Sequence, residues 1–346
     1  MIKTAVIIGF GNSGQRFFDV IKERKDIEVI AVVDPDAKKT LKLKSKIRTF
    51  ISIQKFIESG MTEVDYFIIS TIDKDHYSNI IAIKDYFRFS FFIVEKPLTK
   101  NIWEAKELLS VLGDENLAIN FVERFSTAIQ EVKKFIASKH LTPIRVITFW
   151  GKNRLGDDRD TMGVYSEISH SIDLIIYLCE VKNFNSNQMH SIKLSSDFNG
   201  AGTLKDDTLL LNMNVELDNS SILCTFQSSF MWYKRKREII LFLKSPEAHC
   251  YMISIDLDNP RWDYDHYEIK IFKNGEWVKV TEKSITPQNH RICGNEKINR
   301  FISEILSEKR KDKRIYATLS DGMLVQKVLH YAENKGNSNG TTKFYN

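Results

Sequence analysis

Thr4-Ala5-Val6-Ile7-Ile8-Gly9-Phe10-Gly11-Asn12-Ser13-Gly14 is the stretch on which the fold turns. A short apolar run leads into G-x-G-x-x-G, and a helical pattern opens directly after it. Gly9 permits a tight turn, Gly11 lets the backbone approach a pyrophosphate, and Gly14 allows close packing of helix on strand. The helix N-terminus then faces the phosphates. An ordinary strand–helix turn also uses glycine, so context decides. Asp34 ends the second apolar run, Glu28–Val33, about 20 residues after Gly14, where an acid meets the adenosine ribose. The alternative is a strand-end Asp that only caps the next helix. The dinucleotide reading takes Gly9, Phe10, Gly11, Asn12, Ser13, Gly14 and Asp34 as cofactor residues. An acid at position 34 favours ribose hydroxyls over a 2′-phosphate, so NAD is expected before NADP. Lys38 and Lys39 either meet such a phosphate or stand on a solvated helix face.

Outward from this turn, the apolar runs Tyr66–Ser70, Phe91–Val94 and Leu117–Phe121 alternate with helix-like stretches near 12–24, 74–87 and 101–112. Strands apolar on both faces, joined by helical crossovers, predict a doubly wound α/β domain with a parallel sheet. After Phe125 the rhythm changes. A helix at about 126–138, a strand at 143–150 and a helix at about 164–178 precede strand after strand: 188–195, 207–217, 220–230, 237–244, 249–256 and 266–280. The last contains Lys273-Asn274-Gly275, a hairpin signal. Helices near 295–310 and 320–333 close the chain. The expected organisation is α/β: a Rossmann dinucleotide-binding domain over 1–123, then an α+β domain over 124–333 with a large, open, mostly antiparallel sheet. A tail at 334–346, rich in Asn, Gly, Ser and Thr, is expected to be flexible.

The 346 residues are 42% hydrophobic and 27% charged, ordinary globular usage that excludes wholesale disorder. The net charge of +5 is spread along the chain, which suits a small anionic ligand better than a nucleic-acid track. Cys179, Cys224, Cys250 and Cys293 show no C-x-x-C spacing and read as small hydrophobes in a reducing cytosol. No apolar run approaches the ~18 residues that span a bilayer, and residues 4–8 are too short a run for a signal peptide. A cytoplasmic protein without membrane or nucleic-acid partners is expected. His140, His190, His249, His266, His290 and His330 have no metal-ligand spacing, and no metal is expected.

Glu95-Lys96-Pro97 follows the strand Phe91–Val94. A Lys at the C-terminal end of a parallel strand points into the crevice where such sheets bind ligands, and Pro97 restricts it to extended geometry. The bland alternative is a solvated surface turn. With Gly9–Gly14 and Asp34, this motif resembles the glucose–fructose oxidoreductase / inositol dehydrogenase (Gfo/Idh/MocA) family. The resemblance continues through Ser70-Thr71…His76, Asn120…Arg124, Glu167…His170…Asp173 and Ser320-Asp321-Gly322, nearly the whole chain. It implies an NAD(P)-dependent oxidoreductase acting at a carbinol or ketone carbon of a sugar or sugar nucleotide, in carbohydrate biosynthesis. Lys96 would hydrogen-bond the substrate hydroxyl and hold the nicotinamide end. His170 would be the general acid/base. Ser70, Thr71, His76 and Glu95 would join the cofactor set, although His76 equally well just starts a helix. The resemblance also implies a homodimer or homotetramer formed through the C-terminal sheet.

His170 lies in a helical stretch with Glu167 and Asp173 three residues to either side, within contact reach of it. Imidazole titrates near neutrality and moves a proton in either direction. The sequence departs from the commonest family pattern, which has Asp four residues before this His; that position is Ser166, and the acid is Glu167. Glu167 therefore either contacts substrate or only orients His170. Arg124 faces the site's mouth or forms an interdomain salt bridge, while Asn153, Tyr165 and Asp173 are further substrate candidates. The run Lys234-Arg235-Lys236-Arg237, at a strand entry, either meets a nucleotide diphosphate or is solvated; the solvated reading is favoured, because alternate residues of a strand face opposite sides. Two rival functions remain: a non-catalytic dinucleotide-binding regulator on the same fold, and a reductase of a non-sugar substrate.

Overall fold

The computed structural model describes every residue except 42, 44–46, 158–160, 185–187, 201, 218–219, 308–313 and 345–346, and the side chains of 338 and 339. Two compact units emerge, Met1–Phe121 with Ile298–Gln326, and Val122–Lys297 with Lys327–Asn346. The expected cut was a single one, at 123/124. Here the chain instead returns to the first unit over 298–326, where Ile119 donates its backbone N–H to the Ala317 carbonyl at 2.9 Å.

The first unit contains β1 (Lys3–Ile8), α1 (Asn12–Ile21), β2 (Ile27–Val33), α2 (Ala37–Thr40), β3 (Arg48–Phe50), α3 (Ile53–Ile57), β4 (Tyr66–Ile69), α4 (His76–Lys84), β5 (Phe91–Val94), α5 (Ile102–Leu112) and β6 (Leu117–Ile119). The sheet runs β3-β2-β1-β4-β5-β6 and is parallel throughout. Its central strands are buried on both faces, which is why they read as unbroken apolar runs. β3, α2 and α3 are too short to leave a periodic signal, and the sequence did not announce them.

The second unit adds α6 (Thr127–Ser138), β7 (Thr142–Asn153), α7 (Val164–Cys179), β8 (Met189–Ser196), β9 (Lys205–Leu217), β10 (Ser220–Ser229), β11 (Met231–Lys244), β12 (Cys250–Asn259), β13 (Tyr264–Lys273) and β14 (Glu276–Ile285). After these come α8 (Cys293–Leu306), α9 (Leu319–Lys335) and β15 (Asn337–Thr342). The nine-stranded sheet, β14-β13-β12-β11-β7-β10-β9-β8-β15, is antiparallel except at β7–β10 and β8–β15. The run 266–280 is the hairpin its Asn-Gly signal predicts, β13 turning into β14 with Asn274 and Gly275 both at positive φ, as a two-residue turn of mirror-image type requires. α6 and α7 cover one face of this sheet. On the opposite face Ile192, Leu194, Leu223, Phe272 and Trp277 stay exposed.

The expected flexible tail forms β15 instead, parallel to β8. An edge strand such as β8 offers a row of unpaired backbone groups, and pairing with it asks nothing of the tail's side chains. The end of the expected helix at 308–310 and the tail residues 345–346 lie outside the described residues. The four cysteines are free, as expected for small hydrophobes, and burial pushes the Cys179 thiol up to about 12. No helix among the described residues is long and apolar enough to cross a membrane.

Candidate functional site

In the first unit the predicted cofactor residues gather at the C-terminal ends of β1, β2, β4 and β5. Gly9 takes φ +89°, and a Cβ there would lie 2.7 Å from the Thr71 nitrogen. At Gly14 a Cβ would stand 2.1 Å from the Gly9 carbonyl oxygen, so only glycine lets α1 approach the turn. Gly11 faces open space, and as N-cap of α1 it supplies no side-chain hydrogen bond. The first amides of α1 thus lie behind a backbone with no side chain in front of it, the arrangement a pyrophosphate needs.

Asp34 is buried and turned into this loop: its Oδ2 accepts the Phe10 N–H at 2.6 Å and its Oδ1 accepts the Asp36 N–H at 2.9 Å. Lys39 reaches the same carboxylate at 3.3 Å, so it neither meets a distant phosphate nor stands free on a helix face. Asp36, rather than Asp34, caps α2. Ser70 spends its hydroxyl on the turn, donating to the Gly9 carbonyl at 2.7 Å, and Thr71 accepts from Asn79 at 2.9 Å. Phe10 is buried, whereas Asn12 is exposed.

Glu95 ties the two motifs together. It accepts from the Ser13 hydroxyl, from Asn120 Nδ2 at 2.7 Å and from the Lys96 N–H at 3.3 Å. The Lys96–Pro97 peptide is cis, and Lys96 is half-buried. His76, buried at the start of α4, has Nδ1 2.9 Å from the Pro97 carbonyl and Nε2 3.4 Å from that of Thr71. Burial pushes its pKa down, so a neutral ring donates from one nitrogen only. Both nitrogens thus face carbonyls of the chain. From α9, Gln326 donates to the Thr99 carbonyl at 2.7 Å, so the loop 95–99 is held from α1, α4, β6 and α9.

In the second unit α7 carries Glu167, His170 and Asp173, all buried. The two acids are engaged by basic residues from other elements. Arg124 grips Asp173 at two points, Nη2–Oδ1 at 2.6 Å and Nε–Oδ2 at 2.9 Å, so these two substrate candidates are committed to each other within one unit. Glu167 receives Lys152 on Oε2 and Arg237 Nη2 on Oε1, the latter at 3.3 Å. Tyr165 donates to Asp206 at 2.6 Å, and burial reinforced by that carboxylate pushes its phenol well above the usual range. Asn153, exposed at the end of β7, accepts the Leu155 N–H at 3.1 Å.

Lys152 escaped the sequence analysis, and the reading of 234–237 as a solvated run is corrected at Arg237. Arg237 is buried, and it hydrogen-bonds Glu123 and Asp258 as well as Glu167. Lys297 stands among Glu123 at 2.6 Å, Asp258 at 2.9 Å and Asp265 at 3.0 Å. Asp258, Asp265 and Cys293 are close enough to suit a metal ion, but the Lys297 ammonium already bridges the two carboxylates. Alternation along β11 was the available signal: Arg237 continues the inward series Ile239, Leu241, Leu243. Its carboxylate partners lie far away in sequence, and nothing local announces them.

Residues 3–121 match the oxidoreductase family GFO_IDH_MocA, described as having an NAD-binding Rossmann fold. This first domain belongs to the Gfo/Idh/MocA family. Its cofactor is accordingly NAD(P), and the uncapped α1 terminus, the open Gly11 and the inturned Asp34 fit that group. No curated protein matches by sequence. Among solved structures, UDP-N-acetylglucosamine 3-dehydrogenase GnnA from Acidithiobacillus ferrooxidans superposes with TM-score 0.70 at 15% identity, over 95% of this chain and 96% of that one. A myo-inositol dehydrogenase from Corynebacterium glutamicum gives 0.71 at 13%, covering 97% of each chain. The transcriptional regulator Gal80p from Kluyveromyces lactis gives 0.72 at 16%, over 97% of this chain and 91% of that one. At these identities the likeness is one of fold, and it extends beyond the Gfo/Idh/MocA domain to the second unit.

Proposed function

We propose that this chain is an NAD(P)-dependent oxidoreductase of a carbinol or ketone carbon on a sugar or sugar nucleotide. The observation that carries the reading is the loop Glu95-Lys96-Pro97, tied through Glu95 to Ser13 of the dinucleotide turn. It puts a lysine beside the turn that would hold the cofactor. NAD(P), when bound, supplies the hydride acceptor or donor. Lys96 would hold the substrate hydroxyl and the nicotinamide end. His170 would take or return the hydroxyl proton at a ring nitrogen. Glu167, gripped by Lys152 and Arg237, would set the electrostatic surroundings of His170. The likeness to a UDP-N-acetylglucosamine 3-dehydrogenase and a myo-inositol dehydrogenase supports a carbohydrate or cyclitol substrate. The test is NAD(H) turnover with UDP-N-acetylglucosamine and with myo-inositol. Cofactor binding without turnover of any carbinol would favour the second reading, a regulator, which the likeness to Gal80p supports.

NADH is expected to bind more tightly than NADPH, because a buried carboxylate meets ribose hydroxyls and repels a phosphate. Asp34→Ala should narrow that gap and free Lys39, raising NADPH affinity. Cofactor-fluorescence titration reads both, and an NADPH preference in the unaltered protein would contradict the assignment of Asp34. We further propose a homodimer or homotetramer that covers the exposed apolar face of the nine-stranded sheet. Light scattering should report more than one chain, and Leu223→Lys on that face should shift the population towards monomer. A monomeric unaltered protein would refute this.

A further inference from the structure

Arg235 is a cation that the buried network of the second unit leaves incompletely matched. Its Nη1 is buried with no hydrogen-bond partner among the described residues, and the Asp258 carboxylate stands 3.8 Å off. The rest of the side chain accounts for its 20% exposure. The guanidinium carbon lies 3.9 Å from the centroid of the Trp262 ring, which Arg237 also approaches at 5.3 Å. Trp262 is fixed there. It takes φ +77°, a conformation that a bulky residue adopts only where its surroundings enforce it, and a Cβ on Gly294 would meet its ring at 2.9 Å. Burial, then repulsion by Arg237, pushes the Arg235 pKa down to about 10 against the pull of Asp258 and Glu167.

The position of this residue matters as much as its charge. β11 pairs with β7 at Met231 opposite Asn153 and again at Lys236 opposite Gly151, and between these pairs it bulges out. Bulges of this kind re-aim side chains beside functional sites. The bulged segment, with Arg235 in it, flanks Lys152, whose ammonium holds Glu167 one helical turn before His170. A guanidinium whose carbon sits over an indole ring, as that of Arg235 does over Trp262, can keep N–H groups for other partners, and the group that matches a guanidinium N–H edge is a planar or tetrahedral oxyanion.

We propose that Arg235, held by Trp262, is an oxyanion anchor that receives a carboxylate or phosphoryl group of the substrate. The substrate is then an acidic carbohydrate, a uronate or a sugar phosphate, and neutral sugars are disfavoured. This rests on the reading of the chain as a carbohydrate oxidoreductase.

The experiment is calorimetric titration of the NADH-loaded full chain with glucuronate, glucose 1-phosphate and glucose. At least one anion should bind about 10-fold or more tightly than glucose, and the stronger of the two identifies carboxylate or phosphoryl as the natural group. R235M should lose about 10–100-fold of that affinity, the usual worth of hydrogen bonds to charged groups, with glucose and NADH binding unchanged. R235K keeps the charge opposite Asp258 but not the paired edge, and should lose part of it; this variant carries the test if R235M does not fold. Glucose binding as tightly as both anions, or full anion affinity in R235K and R235M, overturns the anchor and leaves the oxidoreductase reading intact. Failure of all three probes to bind, with no carbinol turned over, overturns both.

Discussion

His170→Ala is expected to lower turnover about 10²–10⁴-fold while leaving NADH affinity nearly intact, because a positioned acid/base acts on the reacting proton and not on cofactor binding. Glu167→Gln should cost less and act differently. Its carboxylate is clamped by Lys152 and Arg237, so neutralising it removes one negative charge and leaves a local excess of positive charge one helical turn from His170. That excess positive charge disfavours the imidazolium. In the oxidative direction, where the neutral ring must accept a proton, the acid-side limb of the kcat/KM profile should therefore move to lower pH. The double variant should be little worse than His170→Ala alone, since residues that act as a unit are not additive. Steady-state kinetics across pH on an identified substrate decides. Near-normal turnover in His170→Ala would place the proton shuttle elsewhere. Tyr165 would be a poor replacement, because burial and Asp206 push its phenol up, which leaves Lys96.

Lys297→Met should be among the most damaging substitutions for stability. It would leave Glu123, Asp258 and Asp265 buried together with Arg237 and the more distant Arg235 as the remaining cations. Removing one partner from a buried ionic cluster costs about 3–5 kcal/mol, because the remaining charges keep their desolvation penalty. The pH dependence has a defined sign. Burial by itself would raise Asp258, but the Lys297 ammonium and the Arg237 guanidinium outweigh it and hold the carboxyl at about 2. In the unaltered protein Asp258 therefore contributes stability that is fully present above the unfolded carboxyl value of about 3.9, and is lost as pH falls towards 2. In Lys297→Met the carboxylates are pushed upwards instead, as burial and Asp258 already push Glu123. The variant's deficit should then be largest at neutral pH and shrink as the solution is acidified. Urea denaturation at several pH values measures this. A deficit that does not vary with pH would mean that lost packing, not charge, is responsible.

The acid at position 34 and the Glu-Lys-Pro turn were legible because the fold places such residues at fixed offsets from a strand end. The structure then added what they touch: Asp34 the Phe10 amide, and Glu95 both Ser13 and Asn120. On α7, spacing placed Glu167 and Asp173 within reach of His170, but reach along a helix did not reveal that stronger partners claim both acids. Likewise, alternation along β11 separated Arg235 and Arg237 from Lys234 and Lys236, yet read all four as solvated. A charge is buried only where opposite charge awaits it, and that charge came from Glu123 in the turn after β6, from Asp258 on β12 and from Glu167 on α7.

By itself the sequence determined the order and type of the main elements, the glycine turn with its acid, the Asn-Gly hairpin and the lysine at the end of β5. These follow from forces acting over a few residues: strand and helix periodicity, glycine's access to positive φ, and the direction of a parallel strand. Tertiary structure alone decided that Arg237 meets Glu123 across 114 residues and Lys297 meets it across 174. It also decided that residues 298–326 rejoin the first unit and that the polar tail completes a sheet. The partner of a buried charge, or of an open strand edge, is whatever the chain topology brings alongside, and no local pattern encodes that choice.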